Sequence, residues 1–328
     1  MRAVVQHRYG GTEVLGLEEV PAPTRSPGTG EVLVRVGAAA VDRGTVHVMN
    51  GLPLMARPAF GLRRPSPRWR TPGRDLAGTV EAVGPGVVGW ATGDPVHGTA
   101  DGSLAELVVT SAGRIAHPPE GLSTVEAAAL PISGLTAYQA VRDAGVAPGQ
   151  RVLVVGSSGG VGHLAVQCAV AAGATVTAVC GPGGADLARS LGAAHVLDRT
   201  HDTIDAEGVR YDVVLDIMSN RRRRDLRRVL AERGTLVCIG TQGGRFTDGV
   251  HRSAAAALLS PFVRHRLVMH VSKELGTDLA ELDTLVAAGA VRPVIDATYP
   301  LERAADAIDH VASGRARGKV VVTLDAAA

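Results

Sequence analysis

Apolar residues recur along this chain in two textures, and the change between them falls near residue 121. Before it, short apolar runs are broken repeatedly by Gly and Pro. Ala3-Val4-Val5-Gln6 is strand-like, Val32, Val34 and Val36 alternate with Leu33 and Arg35, and Ala77 to Val83 and Leu104 to Val109 add further runs. Closely spaced runs of this kind, with turns at Pro85-Gly86 and Gly93-Asp94-Pro95, predict a compact β-rich domain. Residues 51–72 break the pattern. Arg57, Arg63, Arg64, Arg68 and Arg70 are interleaved there with Pro58, Phe60, Pro65, Pro67 and Trp69, and the proline density predicts no regular element.

Beyond 121, helical and strand patterns alternate. Ser123 and Glu126 make a capping-box signature. A helix over 134–145 leads into the strand Arg151 to Val155, which has no alternation and therefore reads as buried on both faces. Thr175–Val179, His195–Leu197, Tyr211–Asp216, Thr235–Ile239 and Leu267–Val271 are the next strands. Helices are predicted at His163–Ala172, Ala185–Leu191, Arg221–Arg233, 277–289 and Leu301–Ser313. Strands at Pro293–Ala297 and Lys319–Leu324 close the chain. Strand and helix in alternation predict an α/β fold with a doubly wound parallel sheet.

The strand Arg151 to Val155 runs directly into Gly156-Ser157-Ser158-Gly159-Gly160-Val161-Gly162 and then a small-residue helix. Strand, glycine turn and helix are the context of a dinucleotide-binding fingerprint. Gly156 permits the tight turn, Gly159 lets the backbone approach a pyrophosphate, and Gly162 lets the helix pack close. Amides at the helix start then face the phosphates. The spacing is GxxGxxG rather than GxGxxG, so a purely connecting glycine turn is the competing reading. An NAD site holds the ribose with Asp or Glu where the second strand ends. Here that strand ends Val179-Cys180-Gly181-Pro182-Gly183-Gly184, and the first carboxylate is Asp186, already in the next helix. The missing carboxylate removes repulsion against a 2′-phosphate and predicts NADP(H). Arg199, after the short strand His195–Leu197, is either the phosphate partner or an exposed loop arginine. Gly240, just past Thr235–Ile239, is counted with the cofactor residues.

Length and composition narrow the class. The chain has 328 residues, 45% hydrophobic and 20% charged, which suits a globular protein of two domains. A net charge of +2 argues against a nucleic-acid partner, and makes the basic 51–72 segment a solvated loop or lid rather than a single-strand binding surface. Cys168, Cys180 and Cys238 form no metal or disulfide pattern and read as buried small hydrophobes. No apolar run reaches membrane-spanning length and no leader is evident, so a cytoplasmic protein is expected.

Taken as a set, five motifs resemble the medium-chain dehydrogenase/reductase superfamily, nearest its zinc-independent quinone oxidoreductases. They are Pro72 to Gly78, Gly93 to Val96, Pro131 to Tyr138, Gly156 to Gly162 and Gly314 to Val322. The resemblance implies a GroES-like catalytic domain at 1–120 and 272–328, with a Rossmann domain inserted at 121–271. It also implies a homodimer formed by extending the Rossmann sheets through Leu267–Val271. Zinc-dependent members ligate the metal with Cys, His and a further Cys or Asp. The matching segments here read Ala40-Val41-Asp42-Arg43-Gly44 and Gly73-Arg74-Asp75, and arginine does not ligate. The segment 85–110 also lacks the cysteines of a structural zinc lobe. No metal is expected.

Without zinc, reduction of an activated acceptor, a quinone or an enone, is favoured over alcohol oxidation. Pocket candidates are Asp42, Arg43, His47, Arg74 and Thr136. By resemblance, Asp42 sits where zinc-free members carry a pocket Asn or Asp, and Thr136 lies near the nicotinamide. A structural ion pair or turn cap is the other reading for Asp42 and Arg43, and a packed or surface histidine for His47. Members of the branch often place Ser and Lys or Arg in the loop after the second strand. This chain departs from that at Gly181 and Ala185. Two rivals remain: an enoyl-thioester reductase, weakened because none of Tyr9, Tyr138, Tyr211 and Tyr299 lies in 40–70, and a non-catalytic nucleotide-binding protein.

Overall fold

The computed structural model describes residues 1–23, 26–205, 208–219, 221–240 and 244–324. It separates into two compact units, Met1–Leu135 with Glu274–Ala288 and Pro293–Ala328, and Thr136–Lys273 with Gly289–Arg292.

The first unit is built on strands. β1 (Arg2–Gln6) and β2 (Leu15–Glu19) form an antiparallel pair. β3 (Glu31–Val41) is the longest strand and pairs on its two edges with β4 (Asp75–Val83), β6 (Leu107–Ser111) and β15 (Lys319–Thr323). β5 (Pro95–Thr99) and β7 (Ile115–Ala116) extend the sheet beyond β4. On the other side β15 pairs in parallel with β14 (Ile295–Pro300). The chain terminus thus completes a sheet begun near the start, which is why a lone C-terminal strand is stable. Val32, Val34, Val36, Leu76, Val80, Val320 and Val322 point into one core with Ile308 and Leu301. On the opposite face Ala127, Ala128 and Ala129 pack on Ala38, Ala40 and Ala77, so the helix Thr124–Ala128 groups with this unit. The Ser123 capping box is formed in full.

The second unit carries a six-stranded parallel sheet. Its strands are β8 (Arg151–Val155), β9 (Thr175–Cys180), β10 (His195–Asp198), β11 (Tyr211–Asp216), β12 (Leu230–Cys238) and β13 (Arg266–Met269). They lie in the order β10-β9-β8-β11-β12-β13. The sheet is doubly wound about β8, as the alternating pattern predicts.

Three elements differ from the sequence reading. The predicted helix 221–233 is helical only at Arg223–Arg228, because Leu230 already pairs with Tyr211 as the first residue of β12. The segment 51–72 is not devoid of regular turns: Leu54–Ala56, Arg57–Phe60 and Pro67–Trp69 each make one, with Pro58 and Pro67 in first-turn positions that need no amide donor. The stretch between the strands Thr235–Ile239 and Leu267–Val271, to which the sequence pattern assigned no element, contains the helix Val250–Leu259. Among the described residues no helix is long and apolar enough to cross a membrane.

Candidate active site

In the second unit, the turn after β8 behaves as its glycines require. Gly156 has φ +90°, a conformation closed to most side chains. A Cβ on Gly162 would stand 2.0 Å from the Gly156 carbonyl oxygen, so the helix Gly162–Ala171 packs directly on the turn. Gly159 differs. A Cβ there would meet only that oxygen, at 3.9 Å, and otherwise open space. A glycine with room for a side chain, at the mouth of a helix that starts from a buried strand, fits a cradle for phosphate groups. Ser157 is fully buried beneath it.

The ends of the neighbouring strands converge on the same side. Arg199 donates its backbone amide to the Cys180 carbonyl at 2.9 Å. Its guanidinium lies over Gly181, where Nε and Nη2 would be 3.2 and 3.3 Å from a Cβ. Ser158 reaches the same turn, its Oγ 3.0 Å from the Cβ position of Gly184. Asp198, half-buried at the end of β10, accepts from the Thr200 amide and hydroxyl at 2.8 and 2.7 Å. Those donors hold its carboxyl below the ordinary range.

At β11 and β12 the chain closes tightly. Gly240 admits no side chain, since a Cβ would lie 1.8 Å from the Ile217 carbonyl oxygen. Asp216 ends β11 with its Oδ1 accepting from the Ser219 amide at 2.9 Å, and burial pushes its pKa up to about 6. The folded value is raised, so the stabilising protonated form is complete below about pH 4 and lost as pH rises through 6. Between pH 4 and 7 the wild type is therefore expected to lose roughly 3 kcal/mol more stability than Asp216→Asn. Urea unfolding at the two pH values checks this, and equal losses would refute it.

Beside these strand ends is a cavity of about 290 Å³ lined by Thr136, Cys238, Gly240, His270 and Ser272. Thr136 Oγ1 donates to Ser272 Oγ at 3.1 Å. His270, just past β13, is buried and donates its backbone amide to Cys238. Burial, helped by Arg142, holds its imidazole below the usual histidine range, against Asp143 and the Thr136 carbonyl. Its Nε2 has no hydrogen-bond partner among the described residues. The sequence reading did not single out His270 or Ser272. A polar residue directly after a buried strand was the available signal. The cysteines are buried, and burial pushes the Cys168 thiol up to about 12, which removes it as a nucleophile.

In the first unit, Asp42 caps the helix Arg43–Asn50, its Oδ1 accepting from Thr45 N at 2.7 Å and Thr45 Oγ1 at 3.0 Å. Arg43 is exposed on that helix, and His47 lies half-buried on it. Arg74 pairs with Glu274, which also holds Arg114. Asp75 is fully buried. Its Oδ2 accepts from Lys319 Nζ at 2.9 Å, and Lys319 also donates to Ser133 Oγ at 2.9 Å. Asp75 Oδ1 accepts from the Ile132 amide at 2.6 Å, in the first turn of the helix Pro131–Ala144 that carries Thr136. Burial raises the Asp75 pKa, and the Lys319 charge opposes it. Tyr9 also comes to this region: its hydroxyl donates to the Gly61 carbonyl at 2.6 Å. The structure thus gathers Thr136 with Ser272 and His270, and Arg199 with Gly181, while Asp42 and Arg43 fall in the other unit.

The sequence matches two family models, "Alcohol dehydrogenase GroES-like domain" over residues 28–120 and "Zinc-binding dehydrogenase" over 191–322. It is 34% identical over 336 residues to the chloroplastic Quinone-oxidoreductase QR1 of Triphysaria versicolor, covering 98% of each chain. It is 31% identical to 2-methylene-furan-3-one reductase of Solanum lycopersicum, covering 98% of this chain and 79% of that one. The quinone oxidoreductase from Coxiella burnetii has the same fold, with a TM-score of 0.87, 26% identity and 99% of both chains covered.

Proposed function

The chain belongs to the medium-chain dehydrogenase/reductase superfamily, in its quinone oxidoreductase branch, and on that premise we propose a zinc-free, NADPH-dependent reductase of a quinone or enone-type acceptor. Bound NADPH supplies the hydride. The glycine turn 156–162 holds its pyrophosphate, and the cavity of Thr136, Ser272 and His270 receives its nicotinamide. The names of the relatives, a quinone oxidoreductase and a furanone reductase, support the acceptor class. A quinone or enone becomes an oxyanion or enolate on taking hydride, and one placed donor is worth about 3 kcal/mol to such a charge.

The observation that carries the cofactor choice is the Arg199 guanidinium lying over Gly181 at the end of β9. A 2′-phosphate there meets a planar fork of donors and no carboxylate in the 180–184 turn. Arg199→Ala is expected to weaken NADPH about ten- to a hundredfold and leave NADH nearly unchanged. Titration of both cofactors by nicotinamide fluorescence reads it. Equal weakening of the two would place Arg199 elsewhere in the site.

The zinc-free reading rests on side chains already engaged. At the positions matching ligands in zinc-dependent members, Asp42 caps a helix and Arg74 is paired with Glu274. Asp75, beside Arg74, holds a buried lysine. The deciding experiment is NADPH oxidation over a panel of quinones and enones, with and without chelator. Turnover unaffected by chelator is expected. NADPH binding with no turnover of any acceptor would defeat the enzymatic reading, and zinc-dependent turnover the metal-free one.

A homodimer completes the proposal. β13 ends the parallel sheet with β12 as its strand neighbour, and Met269, Val271, Leu258 and Phe262 around it are exposed. An uncovered strand edge flanked by apolar side chains is a surface that proteins pair or protect. Light scattering at micromolar concentration is expected to give twice the chain mass. A monomeric mass would defeat it.

A further inference from the structure

The segment 51–72 contains five arginines and no carboxylate. Two of the five are engaged. Arg57 lies over the Tyr9 ring at 4.7 Å and donates to the Gly51 carbonyl, and Arg68 pairs with Asp101 at 2.5 Å. Arg63, Arg64 and Arg70 have no carboxylate within ion-pair distance among the described residues. These three line one cavity of about 470 Å³, with Leu62, Pro65 and Pro67 as its apolar wall.

The cavity is held open by bonds that do not involve the three guanidinium groups. The Gly61 amide donates to Arg57 O, the Ser66 amide to Phe60 O and the Trp69 amide to Ser66 O. Tyr9 Oη fixes Gly61 from outside the loop, and Trp69 Nε1 donates to Ala59 O at 3.1 Å. Gly61 itself has φ +124°, and a Cβ there would strike Arg64 O at 2.1 Å. A preorganised loop loses little entropy when it binds. Like charges brought together without counter-charge raise the local affinity for an anion, and Arg forks match phosphate oxygens in pairs. A dianion satisfies three guanidinium groups better than a carboxylate, and the volume exceeds that of an inorganic ion.

We propose that the 61–70 pocket binds a soluble organic phosphate monoester, its phosphate on Arg63, Arg64 and Arg70 and its apolar body against Leu62, Pro65 and Pro67. The pocket belongs to the first unit and the glycine turn 156–162 to the second, and the inference goes beyond the proposed reduction.

The test is calorimetric titration of the full chain with phenyl phosphate, Trp69 emission being a second readout. Phenyl phosphate is expected to bind at least tenfold more tightly than inorganic phosphate, and benzyl alcohol not to bind. Affinity falls as NaCl rises. Arg63→Gln/Arg64→Gln raises the dissociation constant at least tenfold, Arg70→Gln raises it similarly, and both variants keep the wild-type melting temperature. Equal affinity for phenyl and inorganic phosphate, or unchanged affinity in the variants, would overturn the proposal. So would binding of phosphatidic acid vesicles without binding of phenyl phosphate, which assigns the arginines to a lipid head group. NADPH titration of the same samples tests the reductase reading independently.

Discussion

Lys319→Met is expected to destabilise the protein by about 3–5 kcal/mol, the cost of leaving a buried charge without its partner. Lys319 is 1% exposed and its ammonium touches both Asp75 and Ser133. Removing it strands Asp75, which has no water to turn to and whose burial already raises its pKa. The remaining carboxyl must take up a proton or leave the core, and either loosens the Ile132 amide that it holds. The effect therefore reaches the first turn of the helix that carries Thr136. Asp75→Asn/Lys319→Met, which removes both charges, is expected to recover much of the loss, because an apolar replacement for a buried pair is often tolerated. Urea unfolding of the wild type, the single variant and the double variant measures this. A single-variant loss under about 1 kcal/mol would show that Asp75 is not held by charge. Lysine is rare here, at two positions against 32 arginines, so its choice at 319 is informative. A compact ammonium fits between a carboxylate and a hydroxyl where a planar guanidinium does not.

The second large effect is expected from Gly159→Val. NADPH affinity should fall at least a hundredfold while the melting temperature stays within about 2 °C of wild type. The space above Gly159 is open, so the new side chain meets little protein, and the chain keeps its fold. That same space is what a pyrophosphate needs for contact with the backbone amides. Gly162→Val supplies the contrast. Its Cβ would collide with the Gly156 carbonyl, so this variant is expected to lose the fold as well as the cofactor. Thermal melts with cofactor titration separate the two. Full NADPH affinity in a folded Gly159→Val protein would defeat the cradle reading.

Much of this was legible in the sequence because it is local. Val152 to Val155 is apolar without alternation, and such a run is stable only between two neighbours, where β8 indeed lies between β9 and β11. The glycine turn, the capping box at Ser123 and the missing carboxylate after β9 are likewise properties of a few adjacent residues. The helix Val250–Leu259 was assigned no element from the sequence, and β12 began three residues before the predicted end of a helix because Leu230 found a ladder partner in Tyr211. Tertiary pairing overrides local preference wherever a strand edge is waiting.

What the sequence by itself determined was the order of elements, the parallel sheet and the glycine turn after β8, since periodicity and glycine spacing act over a few residues. Only the tertiary structure decided which polar groups meet. It joined Asp75 to Lys319 across 244 residues, laid Arg199 over Gly181 and left the His270 imidazole buried beside Thr136. Charges and hydrogen bonds act through space at a few ångströms, and no spacing along a chain encodes a distance between residues that lie hundreds of positions apart.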